Sequence, residues 1–133
     1  GWSPLHAAAW FGTPENLQAL IDAGADVNAR RDGNLEYYLN ESDVTPLHNA
    51  ARFGTPENTQ ALIDAGADIN AVGPEGWLRV WSTPLEYAAW GTHHSRRAGN
   101  RHENIQVLID AGADVSLTFD DCRIRFVFCW RRY

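Results

Sequence analysis

The chain has 133 residues, enough for one domain with a continuous core, and its 44% apolar content is ordinary for a globular protein. No run approaches the roughly 18 unbroken apolar residues of a membrane helix, and no basic start leads into an apolar segment, so no export signal is seen and a cytoplasmic location is favoured. The formal charge of −6, from 17 acids and 11 arginines with no lysine, argues against broad nucleic-acid binding, which draws on phosphate neutralisation, and no nucleic-acid partner is expected.

The first predicted element opens at Ser3-Pro4. A hydroxyl at the N-cap followed by proline at the first helical position is a helix start, because that proline's missing N–H has no helical partner in any case. The helix covers 4–11, "PLHAAAWF", and its small alanines admit a close neighbour. Gly12 ends it, and a left-handed C′ position is the expected reason. Thr13-Pro14-Glu15 starts a second helix over 14–23, with the acid in the first turn where the helix dipole favours it. Leu17, Leu20 and Ile21 fall three and four apart as one apolar stripe, and Gly24 stops the helix. A short extended piece, Ala25 to Asn28, leads to a turn at Asp32-Gly33.

The same phrase returns. "FGTPENLQALIDAGADVNA" begins at Phe11, and "FGTPENTQALIDAGADINA" begins at Phe53, 42 residues later. The copies differ only at Leu17 against Thr59 and at Val27 against Ile69. The second pair of helices is therefore expected over 46–53 and 56–65, closed by Gly54 and Gly66. Thr59 interrupts the apolar stripe, so this layer is expected to pack less well than its neighbours. A looser third copy gives helices over 84–90 and 103–111, from Thr83-Pro84 and from "ENIQVLIDAGADVS". One helix pair cannot bury its stripe alone, so neighbours must stack.

Three copies of "SPLHAAAWFG", "TPLHNAARFG" and "TPLEYAAWG", each followed by "LIDAGADVNA", "LIDAGADINA" or "LIDAGADVS", resemble the ankyrin-repeat family. The resemblance covers residues 1–116 with insertions, as repeats of about 1–32, 43–73 and 81–116. It implies a mainly α fold, an ankyrin-repeat solenoid of stacked helix-turn-helix units with lengthened β-hairpin loops. An undecorated repeat is about 33 residues long. The extra length falls in the two hairpins, by about 9 and about 5 residues, and in the turn between Trp90 and Glu103, by about 8.

The resemblance also implies that His6 and His48 are structural, hydrogen-bonding within and between repeats. Glu86 stands at the third equivalent position, so no row of histidines exists to hold a metal. The family's repeats carry no chemistry, and no catalytic order, phosphate-cradling loop or metal frame stands out. No cofactor is expected, and the chain is read as not an enzyme. Family resemblance places partner binding in the concave groove lined by the first helices. There Trp10, Phe11, Arg52, Phe53, Tyr87 and Trp90 are the candidates, because aromatics and arginine dominate binding hot spots. The bland alternative for Phe11 and Phe53 is packing between repeats.

The long hairpins carry further aromatics. Leu35, Tyr37, Tyr38 and Leu39 lie in the first, and Trp77 and Trp81 in the second, where Trp77, Arg79 and Trp81 alternate with Leu78 and Val80 as in a strand. Tyr38, Trp77 and Trp81 complete the candidate set, with mutual packing of the two fingers as the alternative. "GTHHSRRAGNRH" (91–102) holds His93, His94 and His102 and is expected as a solvated loop. Residues 117–133, with Cys122 and Cys129, depart from the family and are read as a cap strand or a foreign tail.

Methionine is absent and the opening reads as the middle of a unit, so the chain is expected to belong to something longer or to be a processed product. The leading reading is a non-catalytic protein-protein interaction module that binds a protein partner and is monomeric or weakly self-associating. The alternative is a regulatory or targeting segment of a larger enzyme or effector.

Overall fold

The computed structural model describes residues 2–31, 43–75, 80–89 and 101–116. Six helices occur among them: α1 Pro4–Phe11, α2 Pro14–Asp22, α3 Pro46–Phe53, α4 Pro56–Asp64, α5 Pro84–Ala89 and α6 Arg101–Asp110. Five of the six begin at the proline that the sequence marks. The sixth begins two residues earlier than expected, which takes Arg101 and His102 out of the anticipated loop and into the first turn of α6.

Local chemistry accounts for the helix starts. Ser3 Oγ accepts from His6 N, Thr13 Oγ1 from Asn16 N and Thr55 Oγ1 from Asn58 N. At α5 the arrangement is a capping box, with Thr83 N donating to Glu86 Oε2 at 2.8 Å and Glu86 N to Thr83 Oγ1 at 3.3 Å. The ends of α2, α4 and α6 share a second device. Gly24, Gly66 and Gly112 adopt φ of 86, 91 and 92°, and the following alanine N–H reaches back to Leu20, Leu62 and Leu108 carbonyls at 2.9–3.0 Å. This is the Schellman closure that glycine's missing Cβ permits.

Gly12 and Gly54 are different, and here the sequence expectation fails. Their backbones are extended, with φ of −79 and −83°, not left-handed. Glycine is needed at these positions for space. A Cβ on Gly12 would lie 2.6 Å from the Ala8 carbonyl oxygen, and one on Gly54 would lie 2.5 Å from that of Ala9 in the preceding repeat.

The helices form two layers. α1, α3 and α5 pack side by side, and so do α2, α4 and α6 behind them. The core lies between the layers and holds Leu5, Leu17, Leu47, Leu62 and Leu108, each at most 1% exposed, with Ala9, Ala50, Ala51 and Ala88 where the first helices approach. Small residues along this seam allow backbone groups to come close enough for side chains to cross between repeats.

Thr59 also departs from expectation. It is fully buried, and its hydroxyl lies 3.1 Å from both Asn104 Oδ1 and the Thr55 carbonyl. Asn104 in turn donates to the carbonyls of Ala50, Ala51 and Gly54 at 3.1–3.2 Å. The layer is held by a polar crossing rather than left with a gap.

The described bases of the two hairpins lie beside the first helices, with Val44 O 2.8 Å from His6 Nε2 and Ser82 O 3.1 Å from His48 Nε2. The base of the first is a short ladder, Asp43 N to Arg31 O at 2.8 Å and Arg31 N to Val44 O at 3.2 Å. The second contains β1 Gly73–Glu75 and β2 Val80–Ser82, antiparallel, with Gly73 opposite Ser82 and Glu75 opposite Val80. Residues 32–42, 76–79, 90–100 and 117–133 fall outside the described residues. So do the expectations for Tyr37, Tyr38, Trp77, Trp90, His93, His94 and the two cysteines. No helix among the described residues is long and apolar enough to cross a membrane.

Candidate functional site

His6 and His48 sit at the junction between each first helix and the following finger. Nδ1 of His48 accepts from Thr45 N at 3.2 Å, which leaves Nε2 as the proton-bearing nitrogen, 3.1 Å from the Ser82 carbonyl. His6 repeats the pattern, with Nδ1 2.8 Å from Ser3 Oγ and Nε2 2.8 Å from the Val44 carbonyl. Burial pushes the His48 imidazole down to about 4, because charging it would require desolvating a cation. His6, less deeply enclosed, shifts the same way for the same reason. In each ring Nδ1 closes on the helix cap of its own repeat, and Nε2 reaches a carbonyl of the next. Among the described residues no group of three His, Cys, Asp or Glu side chains comes together to hold a metal.

The first-helix tips carry the feature with chemical reach. Trp10, at the last turn of α1, stacks face to face on Phe53 of α3, with ring centroids 3.9 Å apart and planes 3° from parallel. Trp2, just before the cap of α1, packs on Trp10 at 5.2 Å. The Arg31 guanidinium lies 5.0 Å over the Trp2 ring, and the Arg52 guanidinium 5.0 Å over Phe53 and 5.7 Å over Tyr87. The result is one continuous row across the three first helices: Arg31, Trp2, Trp10, Phe53, Arg52, Tyr87. Phe11 stacks beside Trp10 at 5.1 Å and is 64% exposed.

Five of the nine sequence candidates, Trp10, Phe11, Arg52, Phe53 and Tyr87, therefore gather in one place. Their access differs. Trp10, Arg52 and Phe53 are half-buried, while Tyr87 is only 3% exposed, with its ring edge against His48 at 4.8 Å. Tyr87 supports Arg52 from beneath. Trp81 belongs to β2, and Tyr38, Trp77 and Trp90 lie outside the described residues. Trp2 and Arg31 belong to the row although no sequence argument pointed to them. For Trp2 a signal existed, since an apolar residue immediately before an N-cap commonly folds back on its own helix. Arg31 had none, because its place over Trp2 depends on a tertiary contact between the hairpin base and the start of α1.

The row pairs π faces with guanidinium groups that need not be desolvated to hold their geometry. Opposite it, the second helices present acids. Glu15 and Asp22, Glu57 and Asp64, Glu103 and Asp110 are exposed on α2, α4 and α6, with no basic residue in any last turn. The two sides of the molecule thus offer different chemistry, aromatic with arginine on one and carboxylate on the other.

The ankyrin repeat family model matches the chain at residues 1–32 and 42–74. No curated protein matches it.

Proposed function

Taking as premise that the chain is an ankyrin-repeat protein, we propose that it binds a protein partner through the first-helix row, with the hairpin fingers beside it. Ankyrin repeats are in general protein–protein interaction modules and typically non-catalytic. Within that role, the observation that carries the surface assignment is the stacked row from Trp2 through Trp10 and Phe53 to Arg52, with Phe11 exposed at its edge. Rings already locked against one another lose little side-chain freedom on docking, which lowers the ordering cost of binding. Arginine and tryptophan are also the side chains most enriched at binding hot spots. Trp77, Trp81, Tyr38 and Trp90 are assigned to the same surface from their place in the sequence.

The test starts with a partner captured by the intact chain. Phe11→Ala and Arg52→Ala are measured against it, beside Asp22→Asn and Asp64→Asn on the second helices. A true anchor loses about 2 kcal/mol or more of affinity, roughly thirtyfold, with the helical spectrum unchanged. Loss of binding in the second-helix pair, with the row variants intact, would place the interaction on the acidic side instead.

A further inference from the structure

The aromatic row has a cation at each end. The Arg31 guanidinium lies 5.0 Å over Trp2 and the Arg52 guanidinium 5.0 Å over Phe53, with Trp10 and the exposed Phe11 between them. From Arg31 through Trp2, Trp10 and Phe53 to Arg52, each step is 3.9–5.2 Å. An extended peptide rises about 3.3 Å per residue, so no more than about six residues span the row from one guanidinium to the other. Arg30 adds a third cation at the hairpin bases, where its Nη1 donates to the Val72 carbonyl, a neutral acceptor, at 3.2 Å.

A stacked guanidinium engages a ring with its face, while its five N–H donors lie along its edge. That planar fork matches a carboxylate bidentately, and five donors accommodate a carboxylate beside partners already held. The ring contacts fix the plane beforehand, so little freedom is lost when a carboxylate arrives. The second-helix carboxylates do not cancel this charge at the row. They are exposed on the far layer, and packed helices lie about 8–10 Å apart, so charges there are screened over a Debye length of about 8 Å in physiological salt. On the first-helix side, Glu86 is turned onto the Thr83 N–H at 2.8 Å.

We infer that the row takes an extended partner segment with a carboxylate at each end of a short apolar stretch. The apolar side chains lie on Trp10 and Phe11, and the carboxylates meet Arg31 and Arg52. This names the partner chemistry of the row read above as a protein-binding surface, and it rests on that reading. A basic segment is a poor occupant, because it meets a cation at each end of the row and finds its carboxylates only on the opposite side of the molecule.

The probe is a fluorescein-labelled synthetic hexapeptide with glutamate at both ends of leucine, proline, phenylalanine and leucine. It is compared with versions that carry glutamine or lysine in place of the glutamates. Binding to the full chain is read by fluorescence anisotropy at low and high salt. The glutamate peptide is expected to bind about tenfold tighter than the glutamine one, with the difference shrinking as salt rises, and the lysine peptide more weakly than either. Arg52→Gln is expected to remove the preference, and Arg52→Lys, which keeps the charge without the fork, to retain only part of it. Arg31→Gln serves as the second variant should Arg52→Gln fail to fold. Equal binding of the glutamate and glutamine peptides, both weakened by Phe11→Ala, would keep the row as a protein-binding surface and overturn its acidic preference. Glutamate-peptide binding that survives Phe11→Ala and both arginine variants, or no binding at all, also overturns the inference. So does a single-stranded oligothymidine that displaces the peptide and binds more tightly, since stacked rings with arginine also suit a nucleic-acid strand.

Discussion

Thr59→Val tests whether the polar crossing at the second interface holds the repeats together. The substitution keeps the shape of the side chain and removes its hydroxyl. Thr59 is 0% exposed and Asn104 1%, so no water takes the place of the lost donor. Asn104 Oδ1, 3.1 Å from that hydroxyl, becomes a buried acceptor with nothing to accept from. Such a loss costs about 1–3 kcal/mol, against which the methyl that replaces the hydroxyl gains less than about 1 kcal/mol. The net expectation is a destabilisation of about 1–2 kcal/mol, a fall in Tm of roughly 4–8 °C for a chain of this size. Thr59→Leu, which the apolar stripe favours on sequence grounds, is expected to be no better, since it adds an atom to a filled site as well.

The first interface supplies an internal control. Leu17 stands where Thr59 stands, and there Asn58 Oδ1 is buried without a hydrogen-bond partner. Leu17→Thr gives Asn58 a donor at the cost of apolar burial. It is expected to lose far less than the roughly 2–5 kcal/mol of an ordinary core leucine truncation. The assay is urea and thermal unfolding by circular dichroism, with a double-mutant cycle between Thr59→Val and Asn104→Ala. A coupling of about 0.5 kcal/mol or more is expected for partners in contact. A Thr59→Val chain as stable as the parent, or strict additivity with Asn104→Ala, would refute the reasoning.

Acid should loosen the repeats before the carboxylates titrate. His48 is neutral in the folded chain down to about 4 and titrates near 6.5 when unfolded, so the unfolded state holds more protons between those values. Stability is complete above pH 6.5 and falls with pH below it, by about 2 kcal/mol at pH 5. A Tm unchanged from pH 7 to pH 5 would contradict this. Gly54→Ala should be severe, since its Cβ would meet backbone at 2.5 Å, whereas Gly66→Ala has open space and should cost only about 1–2 kcal/mol for its positive φ. Equal Tm losses for the two, measured side by side, would count against the close-approach account of Gly54. Phe11→Ala should leave Tm almost unchanged because the ring is 64% exposed, while Trp10→Ala should lower it because Phe53 loses its 3.9 Å stacking partner. The reverse order in a melting comparison would mean that the row is assembled differently.

The sequence by itself determined what is local. Serine or threonine before proline, the stripe at Leu17, Leu20 and Ile21, and glycine after Ala23, Ala65 and Ala111 act within about one to three helical turns. Helix type and limits followed from them to within two residues. The ankyrin-type stacking followed because the same signals recur and no single pair buries its stripe. Only the tertiary structure decided what crosses between repeats. Whether Thr59 marks a gap or a hydrogen bond depends on Asn104, 45 residues away. Whether Gly12 and Gly54 serve a left-handed turn or a close approach depends on how tightly the helices meet. Trp2 and Arg31 entered the surface row, and Tyr87 sank beneath it, through contacts that no periodicity encodes. Period and capping are properties of a backbone segment, whereas burial and pairing are properties of two segments brought together, and a single segment's pattern carries no record of its neighbour's side chains.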